Sequence, residues 1–259
     1  MPSVHLRACS FAHTAATPVL DDVTLDLADG WVGVVGANGS GKTTLLHLVA
    51  GVLAPTSGTC DVVADVAAVL CRQDVDHLDD DVVAFAHDWD GPAAALRSRL
   101  DLDPDDLDRW PTLSAGQRKR WQVATVLAAR PDVLLLDEPT NHVDAATKEL
   151  LVAELRRFRG LGLVVSHDRD LLAGLTTATV RLHHGAADLH AGSYDEARQR
   201  WEADETAARV DHDRARREER RLRAALADVR HDRSGAEHAG RAARRRDGLV
   251  TSARCSRTS

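Results

Sequence analysis

Short apolar runs alternate with stretches of helical spacing along most of this chain. Val4 to Phe11 and Val19 to Leu27 alternate apolar with polar residues, which predicts two strands of an antiparallel piece. Trp31 to Val35 is a compact apolar run that ends in glycine, so a buried strand is predicted there, with a turn from Gly36 to Gly41. Thr43 to Gly51 spaces Leu45, Leu46, Leu48 and Val49 as a helix does and stops at a glycine. Val62 to Leu70 predicts a further strand. Asp74 to Asp108 is acidic, with a helix expected from Ala93 to Leu100. Together with a helix from Gln117 to Ala129, it reads as a small helical insert over about 74–130. Pro131 marks its end. Val133 to Leu136 reads as a buried strand, Ala145 to Phe158 as a helix and Leu161 to Ser166 as a strand. Asp170 to Leu175 then predicts a short helix, and Thr179 to His183 a last strand. Strands that alternate with helices predict the α/β class, with a mainly parallel core sheet covered on both faces.

After Tyr194 the pattern changes. Residues 195 to about 246 contain no proline and only Gly235 and Gly240, and they are dense in Arg, Ala, Asp and Glu. Ala208, Ala215, Leu222, Leu226 and Val229 recur at helical intervals with polar gaps, which predicts a long charged helix with little to pack against. Residues 247–259 are small and polar without a period, so a disordered tail is expected. The expected organisation is therefore a domain over 1–194, an Arg-rich arm over 195–246 and a tail. Charge sharpens this division. The net charge of −7 hides a body of −11, with 16 Lys and Arg against 27 Asp and Glu, and a C-terminal stretch of +4 from residue 195 onward.

Composition narrows the class further. A hydrophobic share of 44% supports a real core. No run approaches the roughly 20 apolar residues that cross a bilayer, so direct membrane insertion is not expected. Met1 to Ala12 lacks the charged-then-apolar layout of a signal peptide. Cys9, Cys60, Cys71 and Cys255 form no Cys-x-x-Cys pair, which argues against a disulfide framework or a zinc site. The expectation is a reduced, cytoplasmic compartment.

The candidate chemistry lies between the predicted elements. Gly36-Ala37-Asn38-Gly39-Ser40-Gly41-Lys42-Thr43 has the spacing of a phosphate-binding loop between a strand and a helix. Glycines let successive N–H groups turn inward around phosphate oxygens, and the helix N-terminus favours the negative charge. Lys42 would reach the β- and γ-phosphates, and the Thr43 hydroxyl would hold Mg²⁺. Asp137 and Glu138 end an apolar strand. The first suits Mg²⁺, directly or through water, and the second suits a group that orients the attacking water. Adjacent carboxylates are costly unless a cation or a network balances them. His167 follows another strand, where ligands of α/β sheets bind, and a structural histidine is the competing reading. Gln73 is placed to approach Mg²⁺ and the water, a weak signal alone. Leu113-Ser114-Ala115-Gly116-Gln117 reads as a phosphate-sensing loop ahead of a helix.

In this order the set resembles an ATP-binding cassette (ABC) domain of the P-loop NTPase type over residues 4 to about 194. The resemblance implies that Gly36 to Thr43, with Thr44 beside them, is the Walker A loop. It makes Gln73 the Q-loop residue and Ser114, Ala115, Gly116 and Gln117 the signature loop. Asp137 then closes the Walker B strand, Glu138 is the catalytic glutamate, Asp144 the D-loop residue and His167 the switch histidine. His13 stands where the base-stacking aromatic is usual, and Ala115 where the signature has glycine. ATP and Mg²⁺ are the implied cofactors. A second cassette, whose nucleotide this signature loop would cap, is the implied partner. Glu138 to Asp144, Ser166 to Arg169 and Gly192-Ser193-Tyr194 resemble the ABC-F branch, whose members lack membrane domains and act on ribosomes as translation factors or antibiotic-resistance protection proteins.

That branch makes the arm a candidate for rRNA or tRNA contact. Between Arg209 and Arg246 it carries 13 Arg against 7 acids, and a guanidinium can fork onto phosphate oxygens. A solvated mixed-charge helix is the alternative. Two rivals to an ABC-F ATPase stay open at this point: the nucleotide-binding subunit of a membrane transporter, and a truncated, non-catalytic fragment with one cassette. Trp89, Trp110, Trp121 and Trp201 are read as core or interface packing, and His183-His184 as a strand end.

Overall fold

A computed structural model describes residues 1–223 apart from 15, 16, 66, 67, 142, 208, 212 and 222. The chain divides into two units, Met1–Gln199 and Arg200–Ser259. The first begins with strands β1 (Ser3–Phe11), β2 (Leu20–Ala28) and β3 (Gly30–Gly36), followed by helix α1 (Lys42–Val49). Strands β4 (Ser57–Val63) and β5 (Val69–Cys71) come next, then helices α2 (Asp80–Ala86) and α3 (Gly91–Arg99) and a 3₁₀ segment over Pro104–Thr112. Helix α4 (Ala115–Ala128) leads to strand β6 (Val133–Asp137), helix α5 (Ala145–Leu155) and strand β7 (Leu161–Val165). Helix α6 (Arg169–Leu175) and strands β8 (Ala178–His183) and β9 (Ala186–Ala191) complete the series.

Two sheets result. One is antiparallel, in the order β2-β1-β4, and the other runs β5-β6-β7-β3-β8-β9. The second is parallel through β8, and β9 returns antiparallel at its edge. The expected strand over Val62 to Leu70 is two strands in different sheets: β4 pairs with β1, and β5 pairs with β6. The sequence reading merged them because their apolar residues run on without a proline or glycine between them. It also missed β9, α2 and the 3₁₀ segment, which are short or lie within acidic stretches and carry no sustained apolar period.

Strand β6 shows why the parallel sheet forms. All five of its residues are buried, and they alternate between two cores. Val133 and Leu135 join the apolar face shared with α1 and the antiparallel sheet. Leu134 and Leu136 join the opposite face with Trp121, Val123, Leu151, Leu155, Leu171 and Leu172 from α4, α5 and α6. A strand buried on both sides reads as a continuous apolar run because neither face can be polar. Four of these helices start on side-chain caps that satisfy otherwise open N–H groups: Asp90 for α3, Ser114 for α4, Asp144 for α5 and Asp168 for α6.

Of the tryptophans, Trp110, Trp121 and Trp201 are buried, but Trp89 is 74% exposed and lies over the Arg97 guanidinium at 5.2 Å instead of entering the core. His183 ends β8 and pairs with Asp188 at 2.6 Å. The chain is helical over 194–223 apart from 208, 212 and 222, and Ser193 and Glu196 cap that helix reciprocally. The rest of the expected arm and the expected tail lie outside the described residues.

Gly162 in β7 is a test of close packing. A Cβ there would lie 2.3 Å from the Trp31 ring, which is itself held by a hydrogen bond from its Nε1 to the Leu155 carbonyl at 3.1 Å. The ring is rigid and buried, so Gly162→Ala is expected to cost about 2 kcal/mol in urea unfolding, the usual scale of overpacking.

Candidate functional site

The loop after β3 is shaped by contacts that exclude side chains. A Cβ on Gly36 would lie 2.5 Å from both the Leu182 carbonyl and the Ser40 hydroxyl. Gly39 differs: space around it is open, but its φ of +79° is a conformation that favours glycine. The chain then enters α1 directly from Gly41, so the first N–H groups of the helix face the same cavity as the loop. Lys42, 9% exposed, donates from Nζ to the carbonyls of Gly36 at 3.0 Å and Ala37 at 3.1 Å, which holds its ammonium within the loop. The Ser40 hydroxyl is buried without a partner. Thr44 is buried beneath the loop.

The register of the sheet brings the two carboxylates to this loop. Asp137 pairs with Val165, and Val165 with Val34, so β6 ends level with the start of the turn. Thr43 donates from its hydroxyl to Asp137 Oδ2 at 2.8 Å. Glu138 continues the ladder by donating its N–H to the Val165 carbonyl at 3.0 Å, yet its φ is +49°. A non-glycine residue in that region is strained and persists only where its surroundings hold it. Here Val165 holds one side, and the Asn141 N–H, donating to the Glu138 carbonyl at 3.2 Å, holds the other. The Glu138 carboxylate accepts from the His167 backbone N–H at 3.4 Å, and its Oε1 lies 3.6 Å from His167 Nε2. Burial pushes the Glu138 carboxyl above its ordinary value, while His167 and its N–H pull it back.

One cavity of about 400 Å³ collects Asn38, Gly39, Lys42, Thr43, Gln73, Asp137, Glu138, Asn141, Val165 and His167. Of the expected site, Asn38, Gly39, Lys42, Thr43, Gln73, Asp137, Glu138 and His167 line it together. Gln73 also borders a neighbouring cavity of about 430 Å³ with Ala115, Lys119 and Asn141. Ser114, Gly116, Gln117, Asp144 and His13 do not line the nucleotide-sized cavity. Ser114 and Gln117 form a reciprocal cap on α4, and Asp144 accepts from the N–H and hydroxyl of Thr147 at 2.8 and 3.2 Å. These bonds keep the Asp144 carboxyl below its usual range, chiefly the one from the Thr147 backbone. Exposed His13 meets Phe11 edge to face, with centroids 4.9 Å apart.

Three contributors escaped sequence reasoning. Asn141 pins Glu138. Lys148 pairs with Asp168 at 2.6 Å, next to His167, and so fixes the turn that carries it. Lys119 is buried, and the loss of water around its ammonium pushes its pKa down. Only Asn141 carried a sequence signal, its place after Glu138-Pro139-Thr140; a lysine inside a basic helix carries none.

Mg²⁺ fits the donor set. Thr43, Asp137 and Gln73 offer hard oxygens, and Mg²⁺ is commonly held by one or two carboxylates together with substrate phosphates. Among the described residues no cluster of three or more His, Cys, Asp or Glu side chains could hold a metal, so phosphate oxygens would complete the shell.

The fold and this constellation define a P-loop nucleotide-binding domain. Residues 20–141 match the family model described as ABC transporter. Over 213 residues the chain is 35% identical to a putative ABC transporter ATP-binding protein of Nitratidesulfovibrio vulgaris, covering 71% of this chain and 77% of that protein. It is 28% identical over 222 residues to the energy-dependent translational throttle protein EttA of Mycobacterium tuberculosis, covering 68% of this chain and 40% of the relative. The fold also resembles the dimeric, post-hydrolysis structure of the ATP-binding cassette MJ0796 bound to ADP and Pi, with a TM-score of 0.60 and 20% identity over 73% of this chain and 98% of that one. The chain belongs to the ABC family and is an ATP-binding cassette. Among the described residues no helix is long and apolar enough to cross a membrane.

The raised carboxyl of Glu138 has a consequence for stability. The folded state holds this proton at a higher pH than the unfolded chain does, so the group's stabilising effect is present at low pH and lost as pH rises through its folded value. Glu138→Gln removes the burial penalty on the charge. It is expected to raise the thermal midpoint at neutral pH, with the gain shrinking as pH falls toward the ordinary carboxylate range. A pH series of melting curves on both proteins checks this.

Proposed function

We propose that this chain is an ATP hydrolase of the ABC-F type that acts on the ribosome, in translation regulation or in antibiotic resistance by ribosomal protection. The observation that carries the hydrolase reading is the single cavity that joins Lys42, Thr43 and Asp137 to a pinned Glu138 and to His167. Gly36, Asn38, Gly39, Ser40 and Gly41 cradle the phosphates, and Lys42 steadies the β- and γ-phosphates. Thr43, Asp137 and Gln73 hold Mg²⁺, which supplies charge neutralisation at the phosphate oxygens. Glu138 accepts a hydrogen bond from the attacking water and orients it, and the contact with His167 keeps its carboxylate directed into the cavity. His13 stacks on the base.

The signature residues lie outside this cavity. Ser114 and Ala115 are exposed, and a Cβ on Gly116 would touch only Thr147 and Val143 at 3.6 Å or more. This chain's own packing therefore does not require that glycine. A loop free of duty to its own site suits the nucleotide of a second cassette, either another copy or another chain. The dimeric state named for the MJ0796 structure supports that partner.

Ribosome action is supported by the likeness to the translational throttle protein and by the ABC-F-like Glu138 to Asp144 segment, with the Arg-rich arm as the candidate RNA contact. A cytoplasmic location follows from that reading. The competing reading, a transporter's nucleotide-binding subunit, is favoured by the likeness to the ABC transporter ATP-binding protein of Nitratidesulfovibrio vulgaris. Both share the hydrolytic chemistry and differ in partner.

Glu138→Gln is expected to lower turnover by at least ~100-fold while leaving ATP binding intact, since it removes the base and keeps the fold. With ATP, this variant should sediment with ribosomes, and it should release on ATP removal. Unchanged hydrolysis would end the catalytic assignment, and recovery with membranes instead of ribosomes would favour the transporter reading.

A further inference from the structure

We infer that Lys119 is a positioning residue that ties the Gln73 segment to the helix carrying Ser114–Gln117, so that this helix sets where Gln73 meets the nucleotide cavity. Lys119 lies in α4, five positions beyond Ser114, and is 2% exposed. Its Nζ donates to the carbonyl of Arg72 at 2.8 Å, to the carbonyl of Gln73 at 3.2 Å and to Gln122 Oε1 at 2.9 Å. An ammonium has three donors, and all three are used. One turn further on, Gln122 donates from Nε2 to the Asp74 carbonyl, and its Oε1 also accepts from the Cys71 thiol at 3.8 Å. Two side chains on one face of α4 therefore bind three successive carbonyls, those of residues 72, 73 and 74.

The sheet does not hold this segment. β5 is three residues long, stands at the sheet edge, pairs among the described residues with β6 alone and ends at Cys71. The backbone beyond it takes its place from α4. Gln73 lines the cavity with Thr43, Asp137 and Glu138, and it also lines the adjoining one with Ala115 and Lys119. The carbonyl of Gln73 is thus fixed by the helix that begins at the Ser114 cap, and Gln73 itself lines the site. Any shift of α4 relative to β6 moves that residue with it. Methionine at 119 has a similar length but donates to none of the three acceptors, whereas arginine can still donate to several of them.

The inference rests on the reading above in which Gln73 serves Mg²⁺, and an equilibrium measurement separates the two. ATP affinity is measured on the full chain with Mg²⁺ and with a chelator, for the parent, Gln73→Ala, Lys119→Met, Lys119→Arg and the double variant Gln73→Ala/Lys119→Met. Without Mg²⁺ Lys119→Met and Lys119→Arg should bind ATP within about twofold of the parent, because neither change touches the phosphate loop. The tightening by Mg²⁺ should fall roughly tenfold in Gln73→Ala and by a similar factor in Lys119→Met, the scale seen when a metal ligand loses its support. Lys119→Arg should keep most of it, and the double variant should be no weaker than Gln73→Ala alone. An intact Mg²⁺ effect in Lys119→Met, beside a reduced one in Gln73→Ala, overturns the positioning role and leaves the site reading standing. Multiplying losses in the double variant also overturn it. An unchanged Gln73→Ala overturns the role of Gln73 itself, and the inference with it. Should Lys119→Met not fold, Gln122→Leu removes the other half of the clamp, and an unchanged Mg²⁺ effect there sinks the proposal.

Discussion

The parallel pairing of β6, β7 and β3 is the constraint on which the rest depends. Each of these strands is buried on both faces, so a slip of one residue would exchange the two cores and move every side chain to the wrong layer. The fixed register sets Asp137 beside Val165 and Val165 beside Val34. Three chain ends therefore arrive together at the carboxyl edge: the glycine loop, the paired carboxylates and His167. The Thr43–Asp137 hydrogen bond is a product of this arrangement and not its cause. A 2.8 Å bond between an exposed hydroxyl and a buried carboxylate adds little net stability compared with the apolar area of the sheet.

The same edge explains the strain at Glu138. The ladder to β7 continues through its N–H, but the chain must leave the sheet at Pro139, whose ring cannot extend a strand's hydrogen bonding. The turn is made in the left-handed region at Glu138 itself. Strain of this kind costs on the order of 1–3 kcal/mol and needs a compensating frame. Val165 and Asn141 supply the frame from opposite sides. The carboxylate is left half-desolvated and close to His167, with its proton held more tightly than in water.

What the sequence made legible follows from how locally each feature is encoded. The glycine loop, the Leu134-Leu135-Leu136-Asp137-Glu138 run and the Ser166-His167 end were readable because a strand's two-sided burial and a phosphate loop's glycines leave compact signatures. Strand β5 was not separable from β4, because three residues at a sheet edge carry no period of their own. Strand β9 was lost for a related reason: it is mostly exposed, and Asp188 and Leu189 both lie at the surface, so no apolar face marks it. Lys119 is the sharpest case. Within Arg118-Lys119-Arg120 nothing distinguishes it, yet Lys119 is 2% exposed while its neighbours reach carbonyls and acids nearer the surface. Its role comes from a contact 46 residues away in sequence, which no window along the chain can contain.

The capping residues show how one side chain can serve the fold and the site in turn. Ser114 and Asp144 are both expected at a cassette interface, and both here satisfy the first turn of their own helices. An N-cap contributes about 1 kcal/mol and fixes the helix start. The cap thus aims the N-terminal N–H groups of α4 outward from the loop, where an anion on another molecule can meet them. Seen this way, replacing glycine by Ala115 is mild. The residue is exposed, lies in the first helical turn and needs no left-handed backbone. Its methyl affects only what approaches from outside. The glycine that follows, Gly116, has just enough room for a methyl at 3.6 Å from Thr147. That is ordinary van der Waals contact, so this chain's own side chains leave room for a methyl at Gly116.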